Sequence, residues 1–171
     1  AVVNGRAYVG TGLSTIFHKD WWEWDPVTNQ WTQKADLPGV ERAEATAFSI
    51  GDTLYLLAGW RNNNNIDELY NDFWKYHPAT NTWTLIGTFP GTGTPGRAGM
   101  WSIGHNGYGY AGFGSDTNGN YYSDWWRYNP ASGTWTQLAS CNCPRDFPAG
   151  FAIGDTIYVG TGRNTLSVYS V

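Results

Sequence analysis

Cysteine and histidine are too scarce in this sequence to build an ordinary metal site. The chain has two cysteines, Cys141 and Cys143, in the segment SCNCPRD, and three histidines scattered elsewhere. A Cys-x-Cys pair supplies two ligands at most, whereas a structural zinc ion takes about four. We therefore expect no metal and no cofactor, and the two cysteines are either free thiols or joined in a strained local disulfide.

Charged residues are also few, and they show no basic bias. They make up 14% of the 171 residues, aromatic residues make up 17%, and the formal net charge is −4. Many rings and few charges are typical of a folded chain, not of a disordered one. The weak acidity offers no footprint for DNA or RNA, so no nucleic-acid partner is expected. No apolar run approaches the roughly 18 residues of a membrane helix, so membrane insertion is not expected either.

What the sequence has instead is an aromatic repeat. The segment DWWEWDPVTNQWT at residues 20–32 recurs as DFWKYHPATNTWT at 72–84 and as DWWRYNPASGTWT at 124–136. Trp22, Trp74 and Trp126 are each 52 residues apart, and the prolines and the last tryptophans keep the same spacing. Three copies at a constant spacing indicate an internal structural repeat.

A second motif precedes each copy and occurs a fourth time. It reads VNGRAYVGTG from Val3, IGDTLYLLAG from Ile50, IGHNGYGYAG from Ile103 and IGDTIYVGTG from Ile153. Each copy has an aliphatic residue, then a turn rich in Gly, Asn or Asp, then an aromatic residue five places after the first. Gly, Asn and Asp tolerate the positive φ of tight turns, so each motif predicts a β-hairpin.

Together the two motifs predict a unit of four antiparallel strands, a to d. In the second copy strand a is TAFSI, strand b is TLYLLAG, strand c is DFWKYHP and strand d is TWTLI. No segment shows a sustained 3.6-residue period, so little helix is expected. A four-stranded unit that repeats about every 50 residues is the blade of a β-propeller, and the predicted fold class is all-β.

These motifs resemble the kelch repeat over nearly the whole chain. The resemblance is carried by an arginine before strand a, the Ile-Gly-Asp turn, a Tyr followed by Gly, and the pattern DxWxYxPxTNxW. The double glycine of kelch repeats is altered here to GTG, LAGW and AGFG. The DFWKYHPATNTW form is similar to repeats in secreted proteins of Bacteroidota-like bacteria. The resemblance implies a kelch-type β-propeller that is extracellular or exposed on a bacterial cell surface.

The repeats predict about three and three-quarter blades in one propeller or propeller segment. Their predicted boundaries are 1–37, 38–89, 90–139 and 140–171, and the last blade lacks its outer strand. Propellers typically have 4–8 blades. The chain is therefore part of a larger ring, a four-bladed ring closed by its own ends, or a subunit whose last blade pairs with another copy. In the third case the β-prone segment TLSVYSV is the pairing edge.

Nearly all of the eleven tryptophans belong to the repeat and are expected to pack between blades. Trp101 is assigned to the core too, because it stands two residues before Ile103, where other repeats have phenylalanine. Trp60 lies outside the pattern, followed by Arg61 and four asparagines in the loop between strands b and c. This ring and guanidinium could stack on and hydrogen-bond a sugar or a peptide. The alternative is a loop ring folded back on a neighbouring blade.

Three arginines open successive strand a segments, and these are Arg42, Arg97 and Arg145. The kelch resemblance implies that they lie near the mouth of the central channel, where partners bind. A ring of guanidinium groups could hold carboxylates or other anionic ligands. Alternatively, acidic residues nearby in the sequence pair with them, and these are Glu41, Glu44 and Asp146. The equivalence of Arg97 requires a shift, because it precedes its aliphatic turn residue by six positions instead of eight. Arg163 is a weaker addition to this set.

The remaining polar segments point to no catalytic site. Asp116, Asn118 and Asn120 alternate as the ligands of a calcium loop do, but no glutamate closes the set, so a polar loop is predicted. No Ser-His-Asp order, GxSxG or P-loop occurs. We expect a non-catalytic module that recognises a glycan or a protein through its rim loops. The alternatives are a structural subunit of a homo-oligomer or fibre and a carbohydrate-active enzyme such as a sugar mutarotase.

Overall fold

The computed structural model describes residues 1–91 and 96–164, which form sixteen β-strands. The first sheet consists of β1 (Val2–Val3), β2 (Arg6–Leu13), β3 (Phe17–Asp25) and β4 (Gln30–Gln33). Next along the chain come β5 (Thr46–Ile50), β6 (Thr53–Leu57), β7 (Trp60–Asn63), β8 (Ile66–Leu69), β9 (Asp72–His77) and β10 (Thr82–Thr88). The last six strands are β11 (Trp101–His105), β12 (Tyr108–Gly112), β13 (Trp125–Asn129), β14 (Thr134–Leu138), β15 (Ala149–Ile153) and β16 (Thr156–Gly160).

These strands form three four-stranded antiparallel sheets, which confirms the expected all-β, kelch-type propeller. The sheet orders are β1-β2-β3-β4, β5-β6-β9-β10 and β11-β12-β13-β14, and β15 and β16 form a two-stranded sheet. The first strands of neighbouring blades contact one another, so strand a is the innermost strand of each blade. None of the described residues belongs to a helix of the length and apolarity that crossing a bilayer requires. The predicted third strand of the last blade, at 166–171, lies outside the described residues, and the blade boundaries stay a prediction.

Tight two-residue turns join strands a and b, and the turn of the third blade corrects the sequence alignment. Asn106 and Gly107 form it with φ values of 49° and 77°, so that His105 pairs with Tyr108 as Ile50 pairs with Thr53. Aligning Ile103 with Ile50 was therefore wrong by two residues. The sequence offers two turn-forming pairs in a row here, and Asn106-Gly107 is the stronger one, because both central residues of a type I′ turn require positive φ.

Two consequences follow from this register. Arg97 stands eight residues before His105, as Arg42 does before Ile50, so the two arginines are equivalent without a shift. Trp101 does not occupy the buried phenylalanine position of strand a, which was the basis for assigning it to the core. It is half-buried and stacks on Trp125 with ring centroids 5.7 Å apart.

Aromatic side chains from equivalent positions fill the space between neighbouring blades. Trp21 of β3 is 2% exposed and meets Trp83 of the second blade edge-on at 5.2 Å. Phe73, its counterpart in β9, meets Trp135 of the third blade at 5.1 Å. These rings are therefore scaffold residues, and the large area that they bury explains why the repeat keeps a ring at these positions. Trp31, the counterpart of Trp83 in the first blade, departs from the expected packing between blades, because it is 54% exposed.

The innermost strands of the second and third blades approach so closely that β11 requires a glycine. A Cβ atom on Gly104 would lie 1.6 Å from the carbonyl oxygen of Ser49 in β5. Because the backbone fixes the position of a Cβ atom and the oxygen belongs to the main chain, no side-chain movement could relieve that overlap. Gly104 therefore sets how tightly the blades close around the axis.

A disulfide between Cys141 and Cys143 decides between the two states that the sequence left open. Cys141 follows Asp124 by 17 residues, the same interval that separates Leu37 and Phe89 from the equivalent aspartates of their blades. Leu37 and Phe89 are both buried and fill the space below the connection from strand d to the next strand a. The third blade lacks such an apolar residue, and the disulfide restrains the connection there instead.

Candidate functional site

The Arg42 side chain is fully buried at the start of the second blade. Its guanidinium pairs with both carboxylate oxygens of Asp72 in β9, at 2.8 Å between Nη2 and Oδ2. It also donates to the carbonyl oxygens of Val40 and Ala58 and lies 4.3 Å from the centre of the Tyr70 ring. These contacts tie the start of strand a to the end of strand b and the start of strand c.

Arg97 makes the same set of contacts in the third blade. It pairs with Asp124 (Nη2–Oδ2 3.0 Å), donates to the carbonyl of Phe113 and lies 3.7 Å from the centre of the Tyr122 ring. The aspartate also accepts a hydrogen bond from the indole of Trp126 at 2.7 Å, as Asp72 does from the equivalent tryptophan at 2.6 Å. The DxW motif of the repeat therefore builds the acceptor for a buried arginine.

Arg145 occupies the third equivalent position and donates to the carbonyls of Cys143 and Thr161 at 3.0 and 2.7 Å. Within the part of the chain that the structure describes, no carboxylate forms an ion pair with it. For Arg42 and Arg97 the geometry therefore favours pairing with an acidic residue of the protein over contact with a ligand. Their acidic partners are not the neighbours in sequence that were expected, because the clamp joins segments about 30 residues apart.

Trp60 does not lie in an irregular loop as expected, because the segment forms the hairpin of β7 and β8. Asn64 and Asn65 make its turn with φ values of 52° and 66°, which a type I′ turn requires and which asparagine tolerates. The Trp60 ring is half-buried and meets Phe17 of the first blade edge-on at 5.4 Å. The ring thus packs on a neighbouring blade, as the alternative interpretation held.

Arg61 joins the two strands of the same hairpin and connects it to the segment before strand a. It donates across the hairpin to Glu68 at 2.7 Å, and to Glu41 at 2.6 Å. Hydrogen bonds from Arg61, then from Asn63 and Tyr70, lower the pKa of the Glu68 carboxyl to about 2. The hydrogen bond to Glu68 in turn raises the pKa of Arg61. A guanidinium held by two carboxylates is poorly placed to take a further anion.

The end of strand b has the same backbone conformation in every blade. Two consecutive residues have positive φ, and they are Thr11 and Gly12, Ala58 and Gly59, Phe113 and Gly114, and Thr161 and Gly162. The next residue then forms an isolated bridge to the residue after the blade's arginine. The bridged pairs are Trp60 with Ala43, Ser115 with Ala98, and Arg163 with Asp146. We call the end of the propeller at which these bridges lie the rim. The backbone conformation repeats there, but the side chains differ between blades, so the scaffold does not require their chemistry.

The rim positions of three blades converge on one cavity of about 210 Å³, which we call the rim pocket. Its lining residues are Glu44, Trp60, Asp67, Leu69, Ala98, Ser115, Asp116, Thr117 and Arg163. The pocket is smaller than the roughly 300–1,000 Å³ of typical ligand sites, so only a small ligand such as a single sugar ring would fit. Of the six candidate ligand contacts from the sequence, Trp60 and Arg163 line the rim pocket, whereas Arg42, Arg97, Arg145 and Arg61 do not.

Glu44 is the rim-pocket acid whose pKa is raised. Its side chain reaches solvent, but enough protein surrounds the carboxyl that burial raises its pKa; Asp146 raises it further, and Trp60 and Arg163 lower it. The indole N–H of Trp60 is near enough to act on the carboxyl, although it makes no hydrogen bond of standard geometry. The backbone of Glu44 has a φ of 57°, and the equivalent residues Gly99 and Phe147 have φ values of 62° and 48°, so this conformation belongs to the repeat.

Arg163 faces Glu44 across the rim pocket and is held by a buried acid. Its side chain is 63% exposed, whereas that of Asp146 is 0% exposed. The Arg163 guanidinium donates to the two Asp146 oxygens at 3.2 and 2.6 Å, and Ser115 donates to one of them at 3.1 Å. The hydrogen bond to Asp146 raises the pKa of Arg163. This set presents a fixed guanidinium to solvent.

Asp116 organises the loop of the third blade and holds no calcium-like arrangement. Its oxygens accept four hydrogen bonds, from the backbone amides of Asn118 and Asn120, the Asn120 side chain and the Tyr122 hydroxyl. Burial raises the pKa of Asp116, but these bonds outweigh it and the net shift is downward. No group of three or more His, Cys, Asp or Glu residues that could bind a metal occurs among residues 1–91 and 96–164.

The sequence interpretation missed Glu44 and Asp146 as site residues and treated them only as partners of the arginines. A signal for them was present in the repeat itself. At the position after the strand a arginine, the second and third blades have Ala43 and Ala98, whereas the last blade has Asp146. A charged residue where the scaffold accepts alanine points to a role outside the scaffold.

Comparisons with known proteins agree with this architecture. The Kelch motif family matches residues 41–90. The N-acetylneuraminate epimerase of Escherichia coli O157:H7 is 33% identical over 129 residues, which is 72% of this chain and 33% of that protein. The N-acetylneuraminate epimerase of Shigella flexneri is 30% identical over 129 residues, which again is 72% of this chain and 33% of that protein. The chain thus spans about a third of the length of these relatives.

A solved structure, that of YjhT, has the same fold. It superimposes with a TM-score of 0.75 at 22% sequence identity, covering 95% of this chain and 56% of that one. The repeated sequence motifs, the four-stranded blades and these likenesses together show that the chain belongs to the kelch-repeat β-propeller family.

Proposed function

We propose that this chain forms part of a kelch propeller that interconverts the anomers of a sugar in the rim pocket. The observation that carries the proposal is the Glu44 carboxyl, whose pKa is raised by burial beside Trp60 and Arg163. Titratable groups with altered pKa values in a pocket are typical of acid–base sites. The likeness to N-acetylneuraminate epimerases over a third of their length supports a sugar as the substrate.

Anomer interconversion requires two proton transfers and no net change in composition. A base removes the proton of the anomeric hydroxyl while the ring oxygen receives a proton, so the ring bond breaks and an open-chain carbonyl forms. Rotation exposes the other face of that carbonyl, and the reverse transfers close the ring. In this proposal the Glu44 carboxylate accepts and returns the hydroxyl proton, and water in the open pocket supplies the ring-oxygen proton. A raised pKa brings Glu44 closer to the pH at which such an exchange works best.

The neighbouring side chains suit the other needs of the reaction. The Trp60 ring lines the pocket and offers a flat surface for the C–H face of a sugar. Arg163 presents N–H donors that stabilise negative charge developing on a sugar oxygen. Both groups are held in place, Trp60 by Phe17 and Arg163 by Asp146, so little ordering remains to be done when a sugar binds.

The test is anomer exchange measured by NMR on freshly dissolved monosaccharides with purified protein. Replacing Glu44 by Gln should lower the rate enhancement on the order of 10²–10⁴-fold, the usual contribution of a general base. Glu41→Gln is the matched control, because Glu41 lies three residues away in sequence but pairs with Arg61 outside the rim pocket. The proposal fails if no sugar exchanges faster with the wild-type protein, or if the two variants behave alike.

A non-catalytic glycan-binding module, the function favoured by the sequence, is the second candidate. Trp60 supports it, because a half-buried ring beside carboxylate and guanidinium groups is a common sugar-binding arrangement. Saturation-transfer NMR separates the two candidates: sugar signals that depend on Trp60, without faster anomer exchange, would support binding alone.

Assembly through the last blade and an extracellular location also remain proposals. The sheet of β15 and β16 exposes Phe151 and Tyr158, which are 56% and 49% exposed and stack on each other. Such a surface supports packing against further protein. The disulfide supports an oxidising compartment. A native mass equal to that of one chain would count against homo-oligomers, and recovery from the cytoplasm alone would count against secretion.

A further inference from the structure

We infer that the rim pocket takes a sugar that has no carboxylate group. The inference rests on the proposed function, since it narrows the substrate class of the same site. It departs from the relatives, whose substrate N-acetylneuraminate is a sugar acid. Three observations support it: the charge balance of the lining, the way in which Arg163 is held, and the small residues that replace Asp146 in the other blades.

The rim pocket has more acidic than basic groups. Glu44, Asp67 and Asp116 line it, and Arg163 is the one cationic side chain among its lining residues in the described part of the chain. The hydrogen bonds to Asp116 keep its pKa low and its carboxyl charged. A ligand carboxylate would therefore enter among like charges, which costs binding energy in a partly desolvated site.

Asp146 offsets most of the positive charge that Arg163 brings to the rim pocket. The Asp146 oxygens accept hydrogen bonds from Nε and Nη2, which form one of the two edges at which arginine binds a carboxylate with paired donors. A sugar acid that used this edge would have to displace Asp146. Displacement would leave a carboxylate with 0% exposure without its cation, and breaking a buried ion pair in this way is strongly unfavourable. A sugar acid at the Nη1–Nη2 edge would meet a guanidinium whose charge Asp146 already balances.

The position of Asp146 shows that the blade itself does not require this pair. Ala43 and Ala98 occupy the same bridge position in the second and third blades. The pair is therefore an addition at the rim, and its effect is to turn a cation into a nearly neutral group of N–H donors. Uncharged sugar hydroxyls suit such a lining, because they can donate to Glu44 and Asp67 and accept from Arg163.

The first experiment compares three probes with the wild-type protein: glucose, N-acetylmannosamine and N-acetylneuraminate. Binding is followed by saturation-transfer NMR and anomer exchange by the time course of the anomeric signals. We expect the two neutral sugars to bind at least on the order of tenfold more tightly than the sugar acid, the factor that about 1.4 kcal/mol of repulsion produces.

The second experiment reverses the preference. Asp146→Asn removes the competing charge and releases part of the hold on Arg163, because an amide has one acceptor oxygen where the carboxylate has two. Affinity for N-acetylneuraminate should therefore rise on the order of tenfold. Affinity for the neutral sugars should not rise, since they gain no ion pair. Asp52→Asn is the matched control, because it removes the same charge from an exposed turn that is not part of the rim pocket. Thermal unfolding of each variant reports whether the fold is kept.

The outcomes separate this inference from the proposed function. If the neutral sugars bind preferentially but exchange no faster, the catalytic proposal fails and the inference stands. If N-acetylneuraminate binds best, the inference is overturned, and the catalytic proposal is kept only if the protein also speeds its anomer exchange. If none of the three binds or reacts, both are overturned. If Asp146→Asn and Asp52→Asn change affinity for the acid equally, the effect is one of net charge, and the role given to Asp146 is wrong.

Discussion

Replacing Arg42 by alanine should destabilise the protein far more than an ordinary surface arginine would. The change removes an ion pair to both Asp72 oxygens and two hydrogen bonds to main-chain carbonyls, all made by a side chain that is 0% exposed. Breaking a buried pair by deleting one partner costs roughly 3–5 kcal/mol. For a chain of this size each kcal/mol lowers Tm by about 2–4 °C, so Tm should fall by about 6–20 °C.

The assay is urea unfolding followed by tryptophan fluorescence and by far-ultraviolet circular dichroism. Arg145→Ala is the matched control, because Arg145 makes the two carbonyl hydrogen bonds but no ion pair among the described residues. It should lose only about 1–2 kcal/mol. Asp72→Asn, which preserves shape, serves if the Arg42 variant does not fold. The double variant Arg42→Ala with Asp72→Ala should lose less than the sum of the single changes, since neither then leaves an unpaired charge.

Equal stability losses in Arg42→Ala and Arg145→Ala would refute the buried clamp. A loss of sugar binding by Arg42→Ala with unchanged stability would support the ligand-binding role that the sequence allowed for this arginine. The two results are distinct, because a buried structural group and an exposed ligand contact affect different measurements.

Three further predictions test other parts of the structure. Burial raises the pKa of Glu44 above its usual 4.5, so its charge destabilises the fold at higher pH. The stability of Glu44→Gln in urea unfolding should then rise relative to wild type as the pH rises from about 4 to 7, and a pH-independent difference would contradict this. Trp21→Ala should lower the free energy of unfolding in urea by roughly 3–5 kcal/mol, whereas Trp60→Ala should lower it less, because Trp60 is half-buried. The reverse order would contradict the assignment of Trp21 to the scaffold and Trp60 to the site. Reducing the Cys141–Cys143 bond should cost about 1–2 kcal/mol, given its short loop, and a double serine variant should not respond to reductant.

Much of the blade was predictable from local patterns. The spacing of Trp22, Trp74 and Trp126 predicted four-stranded units, because strand pairing and inter-blade packing demand a ring at the same place in every copy. The third blade shows the limit of aligning copies by residue type. Matching Ile103 to Ile50 placed the turn two residues too early. A shift of two residues keeps every side chain on the same face of the sheet, so the alternation of side chains did not reveal the error.

The site was less accessible to sequence reasoning than the fold. Trp60 was found because it stands outside the repeat, and it does line the rim pocket. Arg61 and the strand a arginines were chosen for their charge. The charge of a residue does not show whether a carboxylate on another strand already forms an ion pair with it. The acid that pairs with Arg42 is 30 residues away, whereas its nearest acidic neighbour in sequence pairs with Arg61.

The sequence by itself determined the repeated unit, its strands and the family, because these depend on short-range turn chemistry and on residues that recur at a constant interval. Only the tertiary structure decided which charged side chains are buried in ion pairs and which remain accessible to a ligand. Arg42 is buried in its clamp, and Glu44 is brought to face Arg163 across the rim pocket. Closing the blades around an axis places residues more than 100 positions apart within one cavity, and no local pattern specifies such contacts.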